Sequence, residues 1–112
     1  MTWTKKRYDR VADRSAILHG HRHVLPVVAW ILESGSEAIT APEATHGLAG
    51  LVTGNKVLEA LERLDAIGAL RELPYPGKPH RRVFERIPSP YWDFAGQYLS
   101  EVAPSKRAKR RR

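Results

Sequence analysis

Residues 40–70 read TAPEATHGLAGLVTGNKVLEALERLDAIGAL, and this stretch decides the fold. It begins with a hydroxyl and a carboxylate at the spacing of a capping box, Thr40 and Glu43, with Pro42 between them. Proline is well tolerated in the first turn of a helix, where its missing N–H costs no backbone hydrogen bond. The pattern therefore predicts a short helix from about Ala41 to Leu48.

A second, longer helix follows a turn at residues 50–52. Thr53 has the hydroxyl that caps a helix N-terminus, and Gly68 suits a C-terminal end, which predicts a helix up to Ile67. With about 100° per residue, one side of this helix is apolar and the other is mainly polar. The apolar side carries Val57, Leu61 and Leu64, and the opposite side carries Asn55, Glu59, Glu62 and Ala66. We expect the first side in the core and the second in solvent.

The residues before this pair of helices predict two further helices and a short strand. A weakly amphipathic helix is expected from Tyr8 to Leu18. The nearly continuous apolar run from Val24 to Leu32 predicts a helix that is buried on most sides and ends at Gly35. Within it, Trp30 is expected in the core. Residues 38–40 suffice only for a small strand.

The residues after the pair predict a hairpin, a last helix and a tail. Residues 69–73 and 81–87 have strand character, and three prolines in the loop between them exclude ladder pairing, so this loop is expected to protrude. Ser89 and Pro90 can open a final helix with a stripe of apolar and aromatic residues. The stripe consists of Tyr91, Phe94, Ala95, Tyr98, Leu99 and Val102. Residues 104–112 can bury nothing and are expected to be disordered until bound.

The charge of the chain is unevenly distributed. The 19 lysines and arginines exceed the 12 acidic residues by 7, and the sequence pI is about 10.1. The balance is +4 in residues 1–23, +3 in residues 74–90 and +6 in residues 104–112, whereas residues 24–73 carry −4 and residues 91–103 carry −2. Two flexible basic arms and a basic loop that grip phosphates would produce this segregation. The pattern points to a polyanionic partner.

Composition and motifs exclude or disfavour several classes of protein. The absence of cysteine excludes disulfides, thiolate catalysis, zinc fingers and iron–sulfur clusters. No apolar run approaches the length of a membrane span, and the N-terminus runs into charges, so a soluble, cytoplasmic protein is expected. Because no catalytic motif is found, we expect neither an enzyme nor a cofactor. The run from His19 to His23 lacks the geometry of a metal site, and no metal is expected.

The order of predicted elements resembles a winged helix-turn-helix domain, most closely that of small bacterial regulators of the MarR, PadR and ArsR type. The run from Val57 to Leu70, which ends in Leu-x-x-x-Gly-x-Leu, is similar to the link between recognition helix and wing in such families. The resemblance covers about Val24 to Ile87 and implies an α+β fold, mainly α, with a β-hairpin wing and flanking helices. The divisions are a basic N-terminal arm and helix (1–23), the winged helix-turn-helix (24–87), a C-terminal helix (88–103) and a basic tail (104–112).

The resemblance implies that the protein binds double-stranded DNA. A recognition helix at about residues 53–67 would lie in the major groove, where its N-terminal residues reach base edges. Asn55 could pair with an adenine edge, Glu59 could accept from cytosine, and Thr53 could meet a phosphate. The wing at 74–82 and the basic termini would contact the phosphate backbone or the minor groove. The expected DNA contacts are Thr53, Asn55, Lys56, Glu59 and Arg63 on this helix, Lys78, His80, Arg81 and Arg82 on the wing, and Lys5, Lys6, Arg7, Lys106, Arg107, Lys109 and Arg110 at the termini.

The role on DNA stays open between two classes of protein. One is a transcription regulator that occupies an operator. The other is an architectural, replication or plasmid-partition protein with little base preference, and a third reading is a winged helix that docks on protein. The recognition helix favours the second class, because its acidic residues outnumber its basic ones by one. Glu59 and Arg63, at i and i+4, would neutralise each other in part.

The stripe on the last helix can pack either on its own domain or on a second subunit. A single winged helix makes one short groove contact, and an unpaired last helix would expose four large aromatic side chains. We therefore expect a two-fold homodimer through residues 90–102, with help from residues 8–18. Such a dimer would be associated with the nucleoid.

Overall fold

The computed structural model describes residues 3–74 and 82–102. Its helices are α1 (Lys5–His19), α2 (Val24–Ser34), α3 (Ala41–Gly47), α4 (Gly54–Ala66) and α5 (Pro90–Val102). Its strands are β1 (Ala38–Ile39), β2 (Leu70–Leu73) and β3 (Val83–Arg86). Every helix and strand that the sequence predicts is present, with bounds shifted by a few residues. None of the helices in the described parts of the chain is long and apolar enough to cross a membrane.

Helix α2 lies at the centre of the fold. Most of its apolar residues are buried, and Leu25, Val27 and Ile31 have no exposed surface, whereas Trp30 and Leu32 are partly buried. Helices α1, α3, α4 and α5 all pack against it. The helix ends at Gly35, whose φ of 68° is a left-handed conformation that glycine adopts without strain. The expectation of a helix buried on most sides is therefore confirmed.

Three short strands form an antiparallel sheet in the order β1-β3-β2. β2 and β3 pair as the predicted hairpin, with Leu73 opposite Val83. The other edge of β3 pairs with β1, where Ile39 lies opposite Phe84. The sequence does not predict this second pairing, because β1 has two residues and no turn signal joins it to β3. Phe84 is fully buried, so the central strand fixes the sheet to the helical core.

Helix α1 begins at Lys5 and so includes residues that the sequence predicts as a basic arm before the helix. α1 begins at Lys5 because Thr4 caps it, accepting a hydrogen bond from the backbone N–H of Arg7 at 3.1 Å. Trp3 is buried and donates its indole N–H to Glu33 of α2 at 3.2 Å. The guanidinium of Arg7 pairs with the same carboxylate and lies over the Trp3 ring. The prediction of a flexible basic arm at this end of the described chain is therefore wrong.

Helix α5 is fixed to its own domain by Trp92, which is not part of the predicted stripe. Trp92 is buried, and its indole N–H lies 3.1 Å from the carbonyl oxygen of Ala69 and 3.0 Å from that of Ile87. Within the stripe, Ala95 is buried whereas Phe94 is 46% exposed. The stripe residues that are partly buried against the core are Tyr91, Tyr98 and Leu99. The stripe therefore divides between the core and the surface.

Trp30 lies against the backbone of α3 and is partly exposed, so the expectation of a core position holds only in part. A Cβ built on Gly47 of α3 would fall 1.9 Å from the indole nitrogen of Trp30. A Cβ on Gly54, at the start of α4, would meet Thr45 at an ordinary 3.9 Å. Only the first of these two glycines is therefore required by packing.

We expect Gly47→Ala to lower the free energy of unfolding by about 1–3 kcal/mol, because the Trp30 ring must leave its place against α3. Gly54→Ala is the matched control. Alanine favours a helix over glycine by up to about 1 kcal/mol, so this variant should keep or gain stability. Urea unfolding followed by far-UV circular dichroism measures both variants. Equal stabilities would contradict the close packing of Trp30 on α3.

Candidate nucleic-acid interface

Helices α3 and α4 are joined by a tight turn that fixes their relative orientation. The capping box of Thr40 and Glu43 is complete at the start of α3, as predicted. The turn passes through two left-handed residues, Ala49 with a φ of 58° and Gly50 with a φ of 70°. Their backbone N–H groups donate to carbonyl oxygens of α3 at 2.9 and 3.0 Å. The result is a helix-turn-helix arrangement.

The N-terminal half of α4 presents polar side chains to solvent. Thr53 caps the helix, its side chain accepting a hydrogen bond from the backbone N–H of Lys56 at 3.3 Å. The predicted core residues Val57, Leu61 and Leu64 are buried, together with Ala60. The predicted DNA contacts exposed on this helix are Thr53, Asn55, Lys56, Glu59 and Arg63. Asn55 makes no hydrogen bond to another described residue, so its amide is available to a ligand.

One arginine ties the base of the wing to α4. Arg82 donates to both carboxylate oxygens of Glu72 on β2 at 2.8 Å and to Glu62 on α4 at 2.7 Å. Its hydrogen bonds to Glu72 and then to Glu62 raise the pKa of Arg82 above its ordinary value. Asp65 adds a second link, because its carboxylate accepts from the backbone N–H of Glu72 at 3.2 Å. Arg82 therefore bonds acidic partners within the protein, whereas the sequence predicts that it contacts the DNA backbone or the minor groove.

Glu59 faces a buried histidine in the turn between α1 and α2. Nε2 of His23 lies 3.1 Å from Oε1 of Glu59, but the two atoms are not aligned as a hydrogen bond. Burial lowers the pKa of His23, and the neighbouring charge of Glu59 opposes this shift only in part. Burial therefore favours the uncharged form of His23. The expected pairing of Glu59 with Arg63 is not found among the ion pairs of the described residues.

Glu59 is the one carboxylate in the N-terminal half of α4. The wing base engages Glu62 and Asp65, which belong to the C-terminal half. The N-terminal half offers the exposed Lys56 and the positive end of the helix dipole. An anion would thus approach α4 from its N-terminal end.

The remaining predicted contacts lie on α1 or outside the described residues. Lys5 pairs with Asp9 at 2.8 Å, Lys6 is exposed in the first turn of α1, and Arg7 is held by Trp3 and the α2 carboxylate. The wing residues Lys78, His80 and Arg81 and the tail residues Lys106, Arg107, Lys109 and Arg110 lie outside the described residues.

The three histidines between His19 and His23 do not converge on one point. Nε2 of His19 lies 3.1 Å from the hydroxyl of Tyr91, which links α1 to α5, and burial lowers the pKa of His19. The rings of His21 and His23 meet edge to face at 5.8 Å. Within residues 3–74 and 82–102, no group of three or more His, Asp or Glu side chains could hold a metal ion. The tract links structural elements in the described chain.

An open groove between α3 and the start of α4 is not foreseen by the sequence analysis. Ala41 and Pro42 line it from α3, and Gly54, Asn55 and Leu58 line it from α4. Leu58 is partly buried and lies beside the core face of α4. An apolar residue on α4 outside the arc of the core residues is the sequence signal that would have identified it.

No protein-family model matches this sequence, and no curated protein sequence matches it. The fold is similar to that of wild-type MarR from E. coli in its apo form, with a TM-score of 0.58 and 17% identity over 87% of this chain and 68% of MarR. It is also similar to a cysteine-to-serine mutant of E. coli MarR in complex with operator DNA, with a TM-score of 0.54 and 17% identity over 87% of this chain and 66% of that one. These similarities confirm the predicted winged helix fold class and, at this identity, the fold alone.

Because His23 is buried, we expect the free energy of unfolding to fall in mild acid. Its folded-state pKa lies below the ordinary value of 6.5, so the unfolded chain binds this proton more readily than the folded protein does. The contribution to stability is complete above about pH 6.5 and is lost as the pH falls through the folded-state pKa.

Urea unfolding of the wild type and of His23→Gln, at a series of pH values from neutral to mildly acidic, measures this effect. The free energy of unfolding should fall more steeply with decreasing pH in the wild type. His19 also has a lowered pKa, but it is present in both proteins and its contribution cancels. Parallel pH profiles would show that His23 is not the group responsible.

Proposed function

We propose that this protein is a double-stranded DNA-binding transcription regulator in which α4 reads the major groove. The observation that carries the proposal is the exposed amide of Asn55 at the N-terminal end of α4, beside an open groove. In a helix-turn-helix, this end of the second helix contacts base edges. A similar structure, mutant MarR from E. coli, is in complex with operator DNA, and the proposal extends that kind of partner to this chain.

The side chains at the start of α4 have distinct roles in this proposal. Asn55 bonds N6 and N7 of an adenine, which together match the donor and acceptor of its amide. Lys56 and the helix N-terminus meet a phosphate, and Thr53 donates its hydroxyl hydrogen there while its oxygen caps the helix. Glu59, which lies beside His23, accepts from the amino group of a cytosine. Arg63, further along the helix, contacts the DNA backbone.

The basic residues outside α4 supply affinity that does not depend on sequence. Phosphate contacts fix the position of a protein on the duplex, but they carry no base information. In this proposal Lys6, the wing residues 78–81 and the tail residues 105–112 contribute such contacts. Arg82 instead holds the wing base against α4 through Glu62 and Glu72, so its effect on DNA is indirect.

The charge distribution favours a second candidate function, an architectural, replication or partition protein that coats DNA. Residues 104–112 carry +6, whereas residues 24–73, which include α4, carry −4. Binding that depended on the tail alone would show little base preference. The ratio of affinities separates the two functions, because specific readers bind their site at least about 10³ times more tightly than random duplex.

Two variants should damage DNA binding in different ways. Asn55→Ala should cost about 1–3 kcal/mol on the preferred duplex and little on random duplex, because it removes a base contact. Deletion of residues 105–112 should weaken both complexes nearly equally. If about three of its charges meet phosphates, the slope of log K against log salt falls by about 2.7. Fluorescence anisotropy titrations at several salt concentrations measure the affinity of each variant for both duplexes and the slope of log K against log salt.

Ser34→Ala is the control for Asn55→Ala, since it removes an exposed polar side chain from the end of α2, outside both α4 and the α5 surface proposed below for the dimer. It should leave both affinities unchanged. A loss of affinity by Asn55→Ala on specific and random DNA alike would show that α4 does not read bases, and the architectural function would then be favoured. Absence of any duplex binding would favour a winged helix that docks on protein.

We further propose that the protein acts as a two-fold homodimer, associated with the nucleoid, through α5 and the end of α1. Phe94 is 46% exposed and stacks on Tyr98 with ring centroids 5.8 Å apart. Tyr91 connects this pair to His19 of α1. Exposed apolar residues next to this cluster in sequence, Ile17 and Leu18, extend the surface. An exposed apolar surface of this kind is typical of an interface.

Multi-angle light scattering on the 112-residue chain should give twice the chain mass of 12.7 kDa. Phe94→Ala should shift the protein toward the monomer, because it removes an exposed ring from the proposed interface. Leu51→Ala, in the turn before α4, truncates an apolar residue outside that surface and should leave the mass unchanged. A wild-type monomer at tens of micromolar would contradict the dimer.

A further inference from the structure

Leu58 lines the groove between α3 and α4 together with Asn55. Its side chain is partly buried, whereas the core residues Val57 and Leu61 on either side have no exposed surface. The core therefore does not cover all of the apolar surface of Leu58. The uncovered part lies at the groove, next to the amide that the proposed function assigns to a base.

The groove around Leu58 has few groups that could bind a polar ligand. Ala41 and Pro42 form its wall on α3. The hydroxyl of Thr45 donates to the carbonyl oxygen of Ala41 at 2.8 Å, so its hydrogen is already used within the helix. Among the described residues that line the groove, His46 is the one ionisable side chain. The surface beside Asn55 therefore suits an apolar group of the ligand.

The spacing of Asn55 and Leu58 fits neighbouring groups on one duplex. Residues three apart lie on the same face of a helix, about 4.5 Å apart along its axis. Bases along one strand are about 3.4 Å apart. Two side chains on this face therefore reach the same base pair or adjacent base pairs.

We infer that Leu58 is a specificity-determining residue that contacts the C5-methyl group of a thymine at or next to the base pair bound by Asn55. The inference rests on the proposed DNA-binding function and adds the base that the groove selects. Thymine alone among the four bases presents a methyl group in the major groove, and apolar side chains read it there. Burial of one methyl group corresponds to about fourfold in affinity, or about 0.8 kcal/mol.

Replacement of thymine by uracil tests this contact, because it removes the methyl group and leaves every hydrogen-bonding group in place. The full 112-residue protein first selects a preferred duplex from a random pool. Each thymine of that duplex is then replaced in turn by uracil, and affinity is measured by anisotropy. At one or two positions uracil should lower the affinity of the wild type about fourfold, and at the others it should have no effect.

Leu58→Ala should bind the thymine and uracil duplexes equally at those positions, because the side chain that touches the methyl group is gone. Leu32→Ala is the matched control, since it truncates a partly buried leucine of α2 that does not line the groove. It should keep the full uracil penalty. Circular dichroism establishes that both variants are folded, and the uracil series on the wild type needs no variant at all.

The outcomes separate this inference from the proposed function. A selected duplex whose affinity is unchanged by uracil at every thymine would overturn the methyl contact while leaving specific DNA binding intact. A uracil penalty that persists in Leu58→Ala would assign the contact to another residue and overturn the role of Leu58. If the protein selects no duplex over the random pool, specific regulation fails, and the inference fails with it.

Discussion

The burial of Ile31 and of the apolar run 24–29 in α2 is the constraint on which the rest of the structure depends. A helix that is apolar on every side is stable in a soluble protein only when neighbours cover all of it. The helices α1, α3, α4 and α5 each pack against α2. Trp3 and Arg7 bond Glu33 and so join the N-terminal end of the described chain to the last turn of α2. α4 contributes Val57 and Leu61 to this cover, so its opposite face must lie in solvent. The exposure of the polar residues of α4 is thus a consequence of the burial of α2.

The ion pairs at the wing base act on orientation more than on stability. Exposed or partly exposed pairs contribute about 0–1 kcal/mol each, because water screens them and the side chains lose freedom. Arg82, however, is bidentate to Glu72 and also bonds Glu62, and this geometry fixes direction as well as distance. β2, β3 and α4 are therefore held in one relative orientation. Asp65, which bonds the backbone of β2, acts in the same sense.

The sequence predicts well those features whose causes lie within a few residues of one another. The capping box of Thr40 and Glu43, the cap at Thr53 and the helix end at Gly35 are all confirmed, because each depends on local backbone geometry. The N-terminal helix begins earlier than periodicity indicates, since its start depends on Thr4 as a cap. Local patterns of this kind explain most of the fold.

The features that sequence reasoning missed depend on residues far apart in the chain. The indole of Trp92 is held by carbonyl oxygens 23 and 5 residues away, and Arg82 meets a carboxylate 20 residues away. No periodicity or motif specifies such partners. In the candidate site, the exposure of Asn55 follows from the helical pattern, whereas the groove and the uncovered surface of Leu58 arise only when α3 and α4 pack together. Position on one helix was therefore predictable, and the surroundings of the site were not.

The modest charge of α4 is itself an argument for sequence reading. Attraction to phosphates strengthens binding to every duplex alike, so positive charge on the reading helix would raise non-specific affinity together with specific affinity. Here the described wing base engages Glu62 and Asp65, and the N-terminal half of α4 offers an amide and an apolar groove. Base discrimination depends on such groups, because an unmatched amide or an empty apolar contact costs free energy on the wrong sequence. A protein that only coats DNA would gain more from lysine or arginine at these positions, so the amide and the apolar groove answer the argument from net charge for a coating protein and support the proposed regulator.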